Sequence, residues 1–419
     1  MTDLDGHVLW AYRYSDYQSL RRVKFHRSRH ALWLTLVGWS NWIRQHLGLH
    51  PAGRAFLWDS SMWKYLPPDH LSPTMINPIK QLPNGNFLMI IGMVPGYLAD
   101  SPDALPPPDT TLVLREVNLA GETVRNLTVG ELDRRLRAIH YSGPELEVFH
   151  HDIALLPNGN FIVIAAATRN YTNLPGRPGN TRVVGDILVE LDQNFNPVWT
   201  WSEFDHLDVN HHPIDFPDWT HTNAVVYTKD DGNLLVSMRT QHWVIKIDFR
   251  NGKGTGKILW RLGPGGDFRL IGGQAPTDWQ YGQHDPVIFG DRDAGVFDLG
   301  LMDNGYGRIM PDGRECGTRG APACYSAAVI YRIDESAKTA TIIFRKVFPA
   351  SQYSFWGGSV QDLADGDIEV DLCSVDLRNT DIYDLTETAD AKPVWHMRLE
   401  DATAYRVKRL GSLYPGVEW

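Results

Sequence analysis

Three histidines stand at matching places in successive stretches of the chain: His151 in FHHDIALLPNGNF, His221 in DWTHTNAVVYTKDDGNLL and His284 in YGQHDPVIFGDRDAGV. Each precedes a β-like run that ends in a turn centred on Gly159, Gly232 or Gly295. Repeats with equivalent starts place their first residues at equivalent points, so a closed ring of repeats would aim three imidazoles at one axis. His150 adjoins His151 and competes with it for that place. Asn223 follows His221 by two residues on the same run, and Arg239 lies one short strand beyond Gly232. Asp152 and Asp285 directly follow their histidines and, on extended strands, would point to the opposite face.

Imidazoles, a guanidinium and a carboxamide suit two chemistries. Three histidines could ligate a transition metal, but the fixed charge of Arg239 opposes a cation. The residues near the histidines also offer no obvious carboxylate to orient the rings, as metal sites usually require. No metal is therefore expected. The favoured reading is an anion site, in which Arg239 and Asn223 donate to the oxygens of a tetrahedral anion. The imidazoles would then act as nucleophile, acid and base. His206, His211 and His212 read as structural, since a lone histidine in a β-rich chain is usually packed or capped.

The elements that must position these residues form a repeat. LPNGNF occurs at residues 82–87 and again at 156–161, and KDDGNLL, RDAGVF and LADGDIEV continue the series. The turn glycines Gly85, Gly159, Gly232, Gly295 and Gly366 are 74, 73, 63 and 71 residues apart. An Asn-Gly or Asp-Gly pair between apolar runs is a strong hairpin signal. Most repeats close on a strand ending in an aromatic: Trp199, Trp260, Phe344 or Trp395. DLDGHVLW has the form of a last strand, and AYRVKRLGSLYPG that of a first strand. The sequence thus predicts an all-β, six-bladed propeller spanning residues 1–419 as one domain, its last blade closed by both chain ends. Helical periodicity is absent except near the N-terminus.

Composition agrees and narrows the partners. The 419 residues include 37 Gly and 15 Trp, as expected of short strands between turns, and carry a net charge of −10, which argues against a general nucleic-acid binder. Residues 13–54 run against that balance, with eight Arg or Lys and one acid, Asp16. Within residues 13–76, a basic, Trp-rich rim insertion is expected. Membrane-surface contact through residues 13–54 is the less favoured alternative. Residues 169–181 and 100–110 read as Gly/Pro-rich loops that could border a channel mouth. Of three cysteines, Cys316 and Cys324 share one loop, where pairing and free thiols are equally expected. No signal peptide is apparent after Met1.

With these residues in view, the chain resembles the bacterial arylsulfotransferases that work without the nucleotide sulfate donor PAPS. The motifs that carry the resemblance are HHDIALLPNGN, DWTHTNAVVY with LLVSMRTQ and VIKID, ILWRLG, QHDP, MDNGYGR, YSAAVIYRID, GGSV and AYRVKRL. The resemblance implies a six-bladed propeller, no cofactor, a periplasmic setting, and ping-pong sulfuryl transfer from a phenolic sulfate ester to a phenol. It implies that His284 is the nucleophile and that His151 and His221 bind sulfuryl oxygens and shuttle the proton. Arg239 and Asn223 would hold the oxygens, and Tyr405 would pack near the substrate ring. Members of that family also carry an N-terminal β-sandwich, which is not expected within these residues. Two rivals from other classes are a non-catalytic binding scaffold and a His-ligated metalloenzyme.

Overall fold

Every turn glycine of the repeat has a left-handed backbone: φ is 86° at Gly85, 83° at Gly159, 70° at Gly232, 77° at Gly295 and 87° at Gly366. The residues before them are not left-handed, so these are not the two-residue hairpins that Asn-Gly suggests. In LPNGN the Gly159 N–H instead donates to the Leu156 carbonyl, and the Leu156 N–H to the Asn160 carbonyl, both at 2.9 Å. The Asn158 side chain accepts from the Asn160 N–H at 2.9 Å, which explains why Asn or Asp precedes the glycine. The first repeat is built the same way, with Asn84 accepting from Asn86 N–H at 3.0 Å.

The structure is a computed structural model that describes Leu4 and residues 74–93, 113–291, 294–410 and 412. The chain divides into two compact units, one of residues 1–141 and 145–150 and the other of 142–144 and 151–419. In the first unit, β1 (Thr74–Gln81), β2 (Phe87–Met93), β3 (Val113–Val117) and β4 (Thr123–Thr128) form a sheet in sequence order. Helix α1 (Val129–Ala138) follows, capped by Thr128 Oγ1 accepting from Glu131 N–H at 3.1 Å. The sequence reading missed this helix. Its signals were the Thr-x-x-Glu start and the apolar spacing of Leu132 and Leu136, both buried.

Four more sheets follow, each ordered as in the sequence except for one short added strand. The strands are β5 (Leu146–Leu155), β6 (Phe161–Leu174), β7 (Arg177–Leu191) and β8 (Pro197–Ser202), then β9 (Thr222–Tyr227), β10 (Leu234–Met238), β11 (Trp243–Ile247) and β12 (Ile258–Leu262). Short strand β13 (Arg269–Ile271) pairs in parallel with the far edge of the next sheet, made of β14 (His284–Asp291), β15 (Val296–Asp303), β16 (Ala327–Asp334) and β17 (Thr339–Val347). The final sheet holds β18 (Ser359–Asp362), β19 (Ile368–Val375), β20 (Asn379–Leu385) and β21 (Pro393–Leu399). Within the second unit, successive sheets pack face to face. Leu234 and Val236 of β10 join the core shared with Ile162 and Leu188, whereas Leu235 joins that shared with Leu299 and Val329. Both faces of β10 are therefore buried, and its sequence LLVSM is apolar without alternation.

The architecture is all-β with propeller blades, as the repeats imply, but the described residues form five blades and not six. The expected sixth was to combine residues up to Trp10 with those from Ala404. Residues 404–410 form no strand. They run along β18 through its side chains. The Ser359 hydroxyl donates to the Val407 carbonyl at 2.7 Å, and Gln361 bonds both the carbonyl and N–H of Arg409 at 3.0 and 2.8 Å. These side-chain bonds replace a backbone ladder. Residues 169–181 are a second correction: they extend β6 and β7 into a long hairpin, with Arg169 opposite Val183 and Thr172 opposite Asn180. Cys316 and Cys324 are disulfide-bonded with Cα atoms 4.9 Å apart, while Cys373 is free and buried. The expectations for residues 13–54 and 100–110 lie outside the described residues, as do those for 13–76 apart from the start of β1. No described helix is long and apolar enough to cross a membrane.

Candidate active site

The site is built in the second unit from His151 midway along β5, His221 just before β9 and His284 at the first residue of β14. His151 and His221 have left-handed backbones, φ 59° and 47°, and so does Asp285, at 52°. Residues with a Cβ adopt that conformation only where their surroundings hold them, and such strain gathers at functional sites. The hold on His221 is visible on both flanks. The hydroxyls of Thr220 and Thr222 both donate to the buried Glu203 carboxyl. The Thr222 N–H donates to Asp186 Oδ2 at 2.6 Å. Burial and the neighbouring Asp186 push the Glu203 carboxyl well above its usual range. His284 is flanked by Gln283, whose amide donates to Ser237 Oγ and to the carbonyls of Met238 and Trp243 at 2.9–3.1 Å.

The expected residues gather as follows. The rings of His151 and His221 meet edge to face with centroids 4.6 Å apart. Tyr405 lies 5.4 Å from His151 and 5.6 Å from His284, so its ring bridges two of the three imidazoles. Trp356 tilts against Tyr405 with ring centroids 6.0 Å apart. Arg239 is 1 % exposed and donates its N–H to the His221 carbonyl at 3.1 Å, which puts the two residues side by side. Its guanidinium stacks over Tyr306 at 4.7 Å and donates to the Phe355 carbonyl at 3.3 Å. Asn223 is fully buried and donates to the Gln283 carbonyl at 2.6 Å, so one of its donors is committed to the neighbouring strand. The Tyr405 hydroxyl and Asn223 Oδ1 are buried without a hydrogen-bond partner among the described residues. Between His150 and His151, it is His151 that makes the ring contacts. His206 and His211 stack on Trp201 and Trp243 and donate from Nδ1 to Ser202 O at 2.8 Å and Gln241 Oε1 at 2.6 Å, as structural histidines do.

Three partners escaped the sequence reading. Asp218 Oδ2 lies 2.9 Å from His221 Nδ1, with both side chains buried, so His221 has the acidic partner thought missing. Asn304 Oδ1 lies 2.7 Å from His284 Nδ1, which also faces the Gly282 carbonyl at 3.1 Å. The Gly357 N–H approaches His284 Nε2 at 3.3 Å. Asp218 stands three residues before His221 and Asn304 sits in MDNGYGR, but nothing in the spacing points either at a ring nitrogen. The third is Arg406. Its buried guanidinium pairs with Asp152 at 3.1 Å and Asp285 at 3.0 Å and donates to the Asn223 carbonyl at 3.1 Å. It ties together the three histidine-bearing strands. The same aspartates each accept from the next repeat, Asp152 from Val225 N–H at 3.1 Å and Asp285 from Val360 N–H at 3.3 Å.

Burial, followed by the nearby charge of Arg239, holds the His284 imidazole well below its ordinary pKa, outweighing the Asn304 hydrogen bond. His284 is therefore neutral at physiological pH, and its Nδ1 proton lies between two acceptors. Its Nε2 carries the lone pair. Such an arrangement can perform nucleophilic attack beside a fixed cation. Among the described residues, no group of three or more His, Cys, Asp or Glu side chains gathers closely enough to hold a metal ion.

The model of the arylsulfotransferase (ASST) family matches residues 1–406. No curated protein matches the chain. Among solved structures, a protein assigned as a 6-phosphogluconolactonase from Bacteroides fragilis is 10% identical, covering 82% of this chain and 99% of its own, with a TM-score of 0.32. A dihydro-haem d1 dehydrogenase is 13% identical over 84% of this chain and 78% of its own, with a TM-score of 0.26.

Proposed function

The chain belongs to the arylsulfotransferase family, and from that premise we propose that it transfers a sulfuryl group in two halves through a sulfohistidine at His284. It is an aryl-sulfate sulfotransferase whose substrates are small-molecule aryl sulfates and phenols. In the first half, the His284 Nε2 lone pair forms a bond to sulfur and the S–O bond to the aryl group breaks, its electron pair leaving on the phenolate oxygen. In the second half, the oxygen of an acceptor phenol attacks the same sulfur and the N–S pair returns to Nε2. Each half needs positioning and charge stabilisation more than a strong acid.

The observation that carries this reading is the state of His284: neutral, with Nδ1 held by Asn304 at 2.7 Å and Arg239 as the charge that acts on it most strongly. Arg239 would bear on the sulfuryl oxygens where negative charge sits in the transition state, with the remaining Asn223 N–H as a second donor. His221 and His151 would bind oxygens and carry the proton between leaving phenolate and incoming phenol. Tyr405 and Trp356 supply the aromatic wall against which a phenyl ring would lie.

Steady-state kinetics test the two-half scheme. With a phenyl sulfate donor varied at several phenol concentrations, parallel double-reciprocal lines are expected. Intersecting lines would mean direct transfer between two bound substrates and would remove the covalent intermediate.

A further inference from the structure

The two histidines that carry chemistry have chemically different partners on Nδ1, and the difference is fixed by what lies behind each partner. Behind Asn304 are two carbonyls: its amide nitrogen donates to Ser354 O and to Gly357 O, both at 2.8 Å. An amide whose two N–H groups are spent on carbonyls can present only its oxygen to His284. That oxygen is an acceptor, so Nδ1 must carry the proton and Nε2 must be bare. A carboxylate in this place would face two carbonyl oxygens without a hydrogen to offer them. Asn304 is also uncharged, so it orients the ring without stabilising an imidazolium. Behind His221 the partner is a buried carboxylate, Asp218, which stabilises the imidazolium formed when that ring takes a proton.

We infer that Asn304 is a positioning residue that fixes His284 as the neutral Nδ1–H tautomer, while Asp218 assigns the proton-carrying task to His221. This assignment of tasks rests on the sulfuryl-transfer reading above. The bonds balance. As the phenolate leaves sulfur, His221 Nε2 gives it a proton and keeps the Nδ1 proton toward Asp218. In the return half, the acceptor hydroxyl gives its proton to His221 Nε2 as its oxygen attacks sulfur. The charged groups that face His284 are Arg239, Arg406 and His221, and Asp285 is neutralised by Arg406 and Lys408.

Two measurements test the inference on the full chain. Ring-15N histidine spectra, with the His284 signal identified by its loss in His284→Ala, should show protonated Nδ1 and bare Nε2 at neutral pH. A His284 that is protonated at Nε2 would overturn the assignment whatever the enzyme's activity. In a folded Asn304→Asp variant the His284 ring should become partly imidazolium, and the acid limb of kcat/KM should move to higher pH. An unmoved limb with a neutral ring would overturn it. For Asp218→Asn, a series of aryl sulfates with leaving phenols of rising pKa should lose rate unequally. The loss should be about tenfold or less for 4-nitrophenol and about 100-fold or more for unsubstituted phenol, within the range of general-acid catalysis. An equal loss across the series would mean that Asp218 only supports structure. Should sulfohistidine never form while His284 keeps its Nδ1 proton, the transfer reading fails and the tautomer assignment stands.

Discussion

Removing the guanidinium of Arg239 isolates the electrostatic part of this site. The side chain is buried, so its charge acts with little screening by water, and on the proposed reading its replacement by Ala withdraws a donor to the developing charge. Loss of one such donor costs about 10²–10³-fold in kcat, or ~2.7–4 kcal/mol. A second effect has a predictable sign. After burial itself, Arg239 is the largest influence that depresses the His284 pKa, so its loss lets this imidazole, the proposed nucleophile, bind a proton more readily. Below about pH 6.5, where free histidine becomes protonated, the mutant's deficit should therefore deepen. The assay is phenol-dependent release of nitrophenolate from 4-nitrophenyl sulfate, at several pH values. Arg239→Met, which keeps most of the packing over Tyr306, serves as control for the cavity. Near-normal kcat in a folded Arg239→Ala would refute the argument. A loss confined to KM would also refute it, since the guanidinium would then bind the ground state no less than the transition state.

Other outcomes follow from the same geometry. Burial, then Arg239, depresses the His242 pKa to about 3, so the native state refuses a proton that the unfolded chain accepts below about 6.5. Between pH 6.5 and about 5 this destabilises by about 2 kcal/mol, partly opposed by the raised carboxyls of Glu203 and Asp371. His242→Gln should flatten the pH dependence of urea unfolding by about that amount, and an unchanged slope would contradict the assignment. Arg406→Ala leaves Asp152 and Asp285 buried with less compensation and should lower stability by about 3 kcal/mol or more. Thermal denaturation would show it, and a loss below ~1 kcal/mol would mean the clamp is dispensable. Cys316→Ser opens a disulfide whose partners are 8 residues apart. It should cost about 2–3 kcal/mol in unfolding free energy while leaving transfer rates nearly intact. A large kcat effect would show that this loop reaches the chemistry.

Much of the framework was legible because it is local. Gly85, Gly159, Gly232, Gly295 and Gly366 mark turns by a backbone requirement that only glycine meets cheaply, and period and strand class follow from them. Arg239 stands beside His221 because strand β10 is short and antiparallel, which spacing alone conveys. What failed depends on contacts across the chain. The sixth blade presupposed a backbone ladder at 404–410, where Ser359 and Gln361 side chains take the bonds instead. Asp152 and Asp285 were read only as pointing away from their histidines, and nothing local signals the clamp in which Arg406 joins them. Asn304 lies 20 residues after His284 in sequence, and only the fold turns its oxygen onto Nδ1.

The central claim is a covalent intermediate at one atom, and trapping it is the direct measurement. The protein would be mixed with 4-nitrophenyl sulfate without acceptor, quenched under alkaline conditions that preserve N-sulfo groups, digested and examined by mass spectrometry. The account predicts a sulfuryl group on the peptide bearing His284, its loss on adding phenol, and its absence in His284→Ala. Sulfuryl transfer to phenol by an enzyme that never carries the label, or a label on His151 or His221 instead, would contradict it.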